Sequence, residues 1–479
     1  MSKLYVFGIG GTGSRVLRAL TMLLASGVKC DAEKIVPIII DPDDSAADMT
    51  RTVSAMNHYM SVFSKLEKND DNKNKFFGTE IRPVPGMSNF KFALKNTRDA
   101  KFKDFIKSNA LSKENEALVR MLFSENNLES DMVVGFKGNP NIGSVVLNQF
   151  ADSQEYKDFA TDFQQGDRIF IISSIFGGTG ASGFPLLLKT LRNDNTSASW
   201  SLISKAKIGA VTVLPYFKLK QDDNSAVDSS TFNSKAKSAL AYYERNISDN
   251  GNVDALFYVG DNLPATYENH DGGSEQRNNA HFVELVSALA ILKFAATGDS
   301  EYEQGVQHYE YGLDVDMQKA ENQNFGQVIF KNLGKETKAL IQKPMTQFIL
   351  SCKYMTHCRE KEFKHQPWAI DNKLDASFFS GDFVKDLVEF CDYYVEWLRE
   401  MDNNNRSFKP FNEDKVKPLF DIVNGEHARP WIPKLHRNYA LFDSTLNGTH
   451  CNKAASREQK MMDLLYRASL ALVNHKYNM

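Results

Sequence analysis

The chain has 479 residues, of which 42% are hydrophobic and 24% charged, so it is long enough for about two or three globular domains with an ample core. A formal net charge of −3 gives no electrostatic case for general nucleic-acid binding. Five scattered cysteines favour a reducing compartment over a disulfide framework. The sequence has no signal-peptide pattern and no apolar run long enough to span a bilayer, which together predict a cytoplasmic location without a membrane span.

The first predicted element is a strand that enters a glycine-rich loop. The apolar stretch Leu4–Phe7 precedes Gly8–Gly13, and apolar residues then recur at helical spacing up to Leu24. The loop fits Gly-x-Gly-x-x-Gly, a fingerprint of dinucleotide-binding folds, in which the backbone approaches the phosphates closely. The residues predicted to lie against a phosphate chain are Gly10, Gly11, Thr12 and Gly13.

A second buried strand, Ile35–Ile40, ends in Asp41. A carboxylate at this strand end would bond a ribose hydroxyl, lie near a metal ion, or only cap its loop. Asp41 comes later than the acidic partner of a dinucleotide fold, which follows the glycine loop by about 20 residues. The sequence leaves these alternatives open.

Residues 46–130 are less regular, and we interpret them as partly an insertion or a set of peripheral helices. Within them, Glu114–Phe123 has the pattern of a helix with acidic residues in its first turn. A short strand at 131–134 then leads into a glycine-bearing turn that contains Gly138 and Asn139. Asn139 either contacts a ligand or shapes this turn.

The clearest strand, loop and helix pattern in the chain begins at residue 168. The buried strand Arg168–Ser174 enters a loop with Gly177, Gly178, Thr179 and Gly180, and a helical pattern follows. Thr179 would bond a phosphate or cap the following helix. Two such loops in one chain suggest that both close on one phosphate chain.

Two further buried strands, Ile208–Leu214 and Val253–Val259, are separated by helical stretches. This alternation over residues 1–300 predicts an α/β domain with a mostly parallel sheet. Ligands of such sheets bind at the carboxyl ends of the strands, where all of these loops lie.

From about residue 330 the pattern changes to amphipathic helices, as in Phe383–Met401 and Glu458–Asn474. We therefore expect residues 301–479 to form a mostly helical C-terminal domain. No metal ligands are predicted, because one cluster of candidates has a spacing that fits no zinc pair: Cys352, His357, Cys358 and His365.

The order and spacing of the three loops resemble the tubulin/FtsZ superfamily of GTP-binding proteins, and most of all its divergent bacterial tubulin-like members. Gly8–Ser14 is similar to the first glycine loop of that family, and Gly135–Gly143 to its Gly-x-x-x-Asn-Pro-x-x-Gly loop. Gly177–Gly180 is similar to the core of its signature Gly-Gly-Gly-Thr-Gly-(Ser/Thr)-Gly, from which this chain departs at Phe176 and Ala181-Ser182. The resemblance implies a tubulin/FtsZ-type GTP-binding domain.

The resemblance covers roughly residues 1–300 and implies a role for each loop. Gly10–Gly13 would cradle the α- and β-phosphates, and Gly177–Gly180 would hold the β- and γ-phosphates. Gly138 and Asn139 would face the γ-phosphate. The base would be read by residues after the next strand and at the start of a long central helix: Asn262, Phe282 and Glu284. The implied cofactor is GTP or GDP, with Mg²⁺ held mainly by phosphate and water.

In this family, hydrolysis needs a second subunit, whose acidic loop after the central helix orients water at its neighbour's γ-phosphate. The acids in the corresponding stretch here are Asp299, Glu301 and Glu303, which do not match the family motif. The alternative is Asn279-x-His281-x-x-Glu284, which has the spacing of that motif. GTPase activity is therefore an open question at this point.

The function that the sequence favours is a nucleotide-switched assembly or filament-forming protein, which self-associates or docks a protein partner and hydrolyses GTP slowly if at all. One alternative is an interaction scaffold that keeps the fold without polymerising. A weaker alternative is a Rossmann-type oxidoreductase that binds NAD or FAD, because the first loop alone fits that fingerprint.

Overall fold

The computed structural model describes most of the chain. The described residues are 3–43, 45–68, 72–87, 89–92, 94–95, 97, 100–132, 135–136, 138–197, 199–220, 231–248, 250–261, 265–268, 273–275, 277–311, 326–357, 363–412, 421–429, 440–451, 455–477 and 479.

An eight-stranded sheet lies at the centre of the molecule. The strands of the chain are β1 (Lys3–Ile9), β2 (Lys34–Ile40), β3 (Glu80–Ile81), β4 (Lys91–Phe92), β5 (Arg168–Ser174), β6 (Ile208–Val213), β7 (Phe217–Leu219), β8 (Ala255–Val259), β9 (Ala265–Tyr267), β10 (Gln307–Glu310), β11 (Gln327–Val328) and β12 (Ser407–Phe408). The main sheet has the order β10-β8-β6-β5-β1-β2-β3, with β4 also paired to β2. Two small sheets pair β7 with β9 and β11 with β12.

All pairings between the described strands of the main sheet are parallel. Every residue of β1, β5 and β6 is buried, as expected for strands covered by helices on both faces. The predicted α/β class with a mostly parallel sheet is therefore confirmed. The predicted strand at 168–174 has the bounds observed, and those at 35–40, 208–214 and 253–259 differ from the observed strands by one or two residues.

The helices fill the crossovers and most of the C-terminal part. They are α1 (Gly10–Ala25), α2 (Ala47–Ser64), α3 (Phe102–Phe105), α4 (Lys113–Leu122), α5 (Glu125–Leu128), α6 (Pro140–Val146), α7 (Gln154–Asp162), α8 (Gly178–Asn193), α9 (Trp200–Ile203), α10 (Phe232–Tyr243), α11 (Phe282–Ala296), α12 (Lys335–His357), α13 (Pro367–Asp371), α14 (Ala376–Phe379), α15 (Asp382–Asp402), α16 (Ala440–Asn447) and α17 (Arg457–Lys476). None of the helices within the described residues is long and apolar enough to cross a membrane.

The packing of these helices positions the carboxyl edge of the sheet. Helix α1 follows β1 and packs with α2 and α11, and α8 follows β5 and packs with α6. Helix α11 is buried along almost its whole length, because its sequence is apolar on all sides. The long helix α12 packs with both α15 and α17, and α15 also packs on α2. The C-terminal helices thus share a core with the sheet domain.

Candidate functional site

Loops from several parts of the chain meet at the carboxyl edge of the sheet, between β1 and β5. The direction of winding reverses there, because β1 continues to β2 on one side and β5 continues to β6 on the other. Ligands of doubly wound sheets bind at this switch point. The loops surround a cavity of about 180 Å³. The predicted site residues that line it are Gly10, Gly11, Thr12, Asp41, Gly138, Gly177, Gly178, Thr179 and Gly180.

Two glycines of the first loop have different structural roles. Gly10 has a φ of +72°, and a Cβ atom built there would lie 3.4 Å from Cβ of Thr179. The first glycine loop and the loop after β5 are therefore in close contact. Gly13 does not line the cavity; a Cβ atom there would lie 2.4 Å from the carbonyl carbon of Gly8. Its small size lets α1 begin directly against β1.

The loop that contains Gly138 packs against the start of α8. A Cβ atom on Gly178 would lie 3.1 Å from the backbone nitrogen of Asn139. The ammonium of Lys235 donates to the carbonyl oxygen of Gly138 at 3.0 Å. The side chain of Asn139 accepts a hydrogen bond from the backbone N–H of Asn141 at 3.1 Å and caps α6. Asn139 therefore shapes this turn, and its contact with a ligand stays a prediction.

The two long helices that begin at the cavity have no side-chain cap. The residue before α1 is Ile9 and the residue before α8 is Gly177, and neither has a side chain that bonds the first turn. Of the other long helices, α11 is capped by His281 and α17 by Ser456, whereas α2 and α15 also lack a side-chain cap. The first N–H groups of a helix have no intrahelical acceptor, and together with the helix dipole they favour an anion. Both helix starts therefore suit a phosphate group.

Arg15 is the only cation among the described residues that line the cavity. Its Nε donates to Glu284 at 2.5 Å, its Nη1 to Asp48 at 2.9 Å, and its Nη2 to the hydroxyl of Tyr216 at 2.8 Å. Burial raises the pKa of Glu284, although Arg15 and two further hydrogen bonds favour its carboxylate form. The pKa of Arg15 is well above its usual value, so the guanidinium stays charged in spite of its burial. This charge is compensated locally by carboxylates rather than left for a ligand.

Two of the predicted base-reading residues, Phe282 and Glu284, do not line the cavity. Glu284 is buried, and its second oxygen accepts from the backbone N–H of His281 at 2.9 Å. Phe282 is also buried and packs on Phe408, with ring centroids 5.1 Å apart. Asn262 lies outside the described residues. The reading of the base by these residues stays a prediction.

An aromatic wall not predicted from the sequence lies on one side of the cavity. Phe176, Phe217 and Phe232 line it, and their ring centroids are 5.0 to 6.0 Å apart. Rings of this kind offer stacking surfaces to a base. Phe217 directly follows the Pro-Tyr turn at the end of β6, so its position next to a strand end was a local signal for this wall.

The acids considered for hydrolysis lie at the other end of the sheet. Asp299, Glu301 and Glu303 are exposed in a 3₁₀ turn that follows α11. Asp299 pairs with Arg168, the first residue of β5, at 2.5 Å. These acids therefore lie near the amino ends of the strands, and the length of the sheet separates them from the cavity at the carboxyl ends. Within one subunit these acids do not join the site.

His281, the N-cap residue of α11, is a buried histidine beside the site, and its titration should make the stability of the protein depend on pH. Its Nδ1 accepts from the N–H of Val283 at 3.0 Å, so the neutral tautomer carries its proton on Nε2. Burial lowers the pKa of His281 to about 4 from an ordinary value of 6.5. Between these two pH values the unfolded chain binds a proton that the folded chain excludes. Stability should therefore fall as the pH falls from 6.5 to about 4.

We expect the imidazole of His281 to contribute on the order of 3 kcal/mol to this loss of stability, since one pKa unit corresponds to about 1.4 kcal/mol. Urea unfolding at several pH values would measure it. In a His281→Asn variant, the amide oxygen can still cap α11 but does not titrate. Its stability should fall less steeply over the same pH range, and parallel curves for the two proteins would contradict the assignment.

No protein-family model matches the chain, and no curated protein matches it in sequence. In structure, the chain is similar to a mutant of FtsZ from M. jannaschii, with 17% identity, a TM-score of 0.27, and coverage of 54% of this chain and 46% of that one.

It is also similar to two proteins from Haloferax volcanii. The CetZ2 protofilament with bound GTPγS matches with 15% identity and a TM-score of 0.31, over 64% of each chain. The GDP-bound CetZ1 monomer matches with 15% identity and a TM-score of 0.32, over 64% of this chain and 65% of that one. The match therefore spans less than two thirds of these structures. At such TM-scores, the similarity carries no conclusion about ligand or assembly.

Proposed function

We propose that this chain is a guanine-nucleotide-binding protein whose bound nucleotide controls its self-association. The observation that carries the proposal is the meeting of three glycine-bearing loops and two uncapped helix starts at one cavity. Gly10 and Gly178 leave room for a ligand or a neighbouring loop where a side chain would intrude. The residues present therefore suit a phosphate chain.

The division of roles follows the placement of the loops. The start of α1, at Gly10–Gly13, would hold the α- and β-phosphates, and the start of α8, at Gly177–Gly180, the β- and γ-phosphates. Gly138 would lie beside the γ-phosphate and so respond to its loss. A base would stack on the aromatic wall at Phe217 and Phe232, which both line the cavity.

Magnesium fits the charge balance of this site. The described lining includes four carboxylates, Asp41, Asp43, Asp48 and Glu268, and the single cation Arg15 is already paired. Apart from Arg15, the described lining offers a phosphate only uncharged donors, such as backbone N–H groups and hydroxyls. A hard divalent cation bound by phosphate, water and a carboxylate such as Asp41 would relieve repulsion between the ligand and this acidic rim.

Hydrolysis, if it occurs, would need a second subunit. The exposed acids Asp299, Glu301 and Glu303 lie at the amino edge of the sheet, opposite the cavity. They could reach a nucleotide only across a head-to-tail contact between copies. A scaffold that binds nucleotide without turnover is the alternative. A dinucleotide enzyme is less well supported, because the NAD or FAD fingerprint does not need the second and third loops.

The first test is to denature the purified protein, identify any released nucleotide by chromatography, and titrate GTP, GDP, ATP and NAD into the stripped protein. Guanine nucleotides should bind selectively. Gly178→Val and Thr179→Val should each weaken binding at least about tenfold, or about 1.4 kcal/mol. Thr190→Val, on the same helix but remote from the cavity, is the matched control. Binding of NAD, or equal binding by all variants, would reject the proposal.

A further inference from the structure

A cluster of side chains that are common metal ligands lies between helices α2 and α15, away from the cavity at the carboxyl edge of the sheet. His58 on α2 faces Asp386 and Glu389, which are about one turn apart on α15. One ligand atom from each of the three lies within 4.8 Å of the other two. Their side chains are 22%, 23% and 57% exposed, so the cluster opens to solvent at Glu389. Because 328 positions separate His58 from Asp386, the sequence alone did not indicate this cluster.

The contacts of His58 leave one of its ring nitrogens unfavourably placed. Its Nδ1 lies 2.8 Å from Oδ1 of Asp386, and its Nε2 lies 3.1 Å from Oε2 of Glu389. A neutral imidazole has one N–H group, which can donate to only one of these carboxylates. The other nitrogen then presents its lone pair to an oxygen that is also an acceptor. A second proton or a metal cation would relieve this contact.

The charges at the cluster favour a divalent cation over a proton. Within the described residues, His58 is the only basic side chain that pairs with Asp386 or Glu389. Lys385, which precedes Asp386 in the chain, pairs with Asp382 instead, at 3.4 Å. Two carboxylates therefore share one imidazole, which compensates only one of their two charges even when it is protonated. An ion with a charge of +2 would compensate both.

The geometry suits a metal with one nitrogen and two oxygen ligands. Zinc binds histidine nitrogen and carboxylate oxygen at about 2.0–2.2 Å in a tetrahedral shell, so its ligand atoms lie about 3.4 Å apart. Asp386 is already oriented, because its second oxygen accepts a hydrogen bond from the hydroxyl of Ser61. The ring of Tyr393 lies beside that of His58, with centroids 5.7 Å apart. Glu389, the most exposed of the three ligands, can close the remaining gap by a side-chain rotation, and water would fill the fourth position.

We propose that His58, Asp386 and Glu389 form a site for one transition-metal ion of the zinc type, which links α2 to α15. The imidazole ligand favours such a metal over magnesium, which prefers an all-oxygen shell. His58 follows Asp48, which lines the cavity, by ten positions on α2, or about 15 Å along the helix. The site is therefore distinct from the proposed magnesium site at the cavity, and the inference does not depend on nucleotide binding. The ion would hold α15 on the sheet domain at a second point besides Glu400.

The test is a calorimetric titration of zinc chloride into the full chain, freed of bound metal with a chelator and kept in excess magnesium without nucleotide. The wild type should bind one zinc ion. His58→Gln and Glu389→Gln should each weaken zinc binding at least about tenfold, since the loss of a ligand costs no less than the loss of an outer-shell partner. Asp382→Asn removes the same charge from the same helix, one turn before Asp386, and should bind like the wild type. So should His308→Gln, which removes an exposed imidazole on β10.

Urea unfolding of the same proteins provides a second readout. A ligand that binds only the folded chain stabilises it, so zinc should raise the urea midpoint of the wild type and of the two control variants. Zinc should leave the midpoints of His58→Gln and Glu389→Gln almost unchanged. Because Glu389 is exposed, its variant keeps the fold even if replacing His58 disturbs the packing of α2 on α15.

The other outcomes overturn the proposal. If the wild type binds no zinc, a second proton on His58 bridges the two carboxylates. If zinc binds all variants equally, it occupies another part of the chain, such as the acidic rim of the cavity. If excess magnesium displaces the zinc, the measured site has only oxygen ligands and His58 is not one of them. None of these results bears on guanine nucleotides, whose binding the nucleotide titration tests separately.

Discussion

Replacing Gly13 with alanine is expected to destabilise the protein by about 3 kcal/mol and to abolish ligand binding at the first loop. The new Cβ atom would lie 2.4 Å from the carbonyl carbon of Gly8 and 2.7 Å from its Cα. Both are backbone atoms of β1, which is buried in the middle of the sheet, so neither can turn away as a side chain would. Helix α1 would have to move off the strand, and its uncapped N-terminus would move with it.

Gly11→Ala is the matched control because Gly11 lies two residues earlier in the same helix. A Cβ atom there meets nothing closer than Nη1 of Arg15 at 3.5 Å. Its backbone does not have a positive φ. Alanine is the better helix former by up to about 1 kcal/mol, so this variant should be as stable as the wild type or slightly more stable. Urea unfolding and nucleotide titration would measure both variants. Equal stabilities would refute the close packing of α1 on β1.

The glycine loops could be predicted from the sequence because their signals are local. A run of apolar residues that enters Gly177–Gly180 and then a helical period specifies strand, turn and helix without any distant partner. The parallel sheet followed from the alternation of such units. The same locality explains why the predicted strand bounds agree with the observed ones.

Partners that are distant in sequence could not be predicted in this way. Glu284 follows Arg15 by 269 positions, and only the fold brings them into a buried ion pair. The resemblance to the tubulin/FtsZ superfamily suggested that Glu284 faces a base. That resemblance gave no information on Arg15, which forms an ion pair with the Glu284 carboxylate in this structure. The helical pattern at 114–123, with acidic residues in its first turn, predicted a helix, whereas the exposure of Leu118 and Met121 depends on what the fold leaves beside them.

Replacing Glu400 with glutamine is expected to cost about 3–5 kcal/mol, the penalty typical of breaking a buried ion pair on one side. Its carboxylate receives Nη1 of Arg18 at 2.7 Å and the N–H of Ala280 at 3.0 Å, and it also pairs with Arg51. Arg18 is buried, and its Nε and Nη2 have no hydrogen-bond partner among the residues that the structure describes. A neutral amide would leave two guanidinium groups in the core with less compensating charge.

The effect should extend to the cavity, because Arg51 also binds Asp48, and Asp48 holds Arg15. These side chains join α15 to the floor of the site through a continuous series of ion pairs. We therefore expect Glu400→Gln to weaken nucleotide binding as well as stability. Buried Trp397, one turn earlier on α15, provides a fluorescence signal for the local unfolding of this helix.

Glu396→Gln tests whether burial, rather than charge alone, causes the loss. Glu396 lies on the same helix, one turn before Glu400, and its side chain is 34% exposed. It approaches Nη2 of Arg18 only to 3.8 Å. An exposed pair of this kind contributes at most about 1 kcal/mol, since water screens it. Comparable losses in the two variants would show that the total charge near Arg18 matters rather than the buried contact at Glu400, and the proposed connection between α15 and the cavity would then have no support.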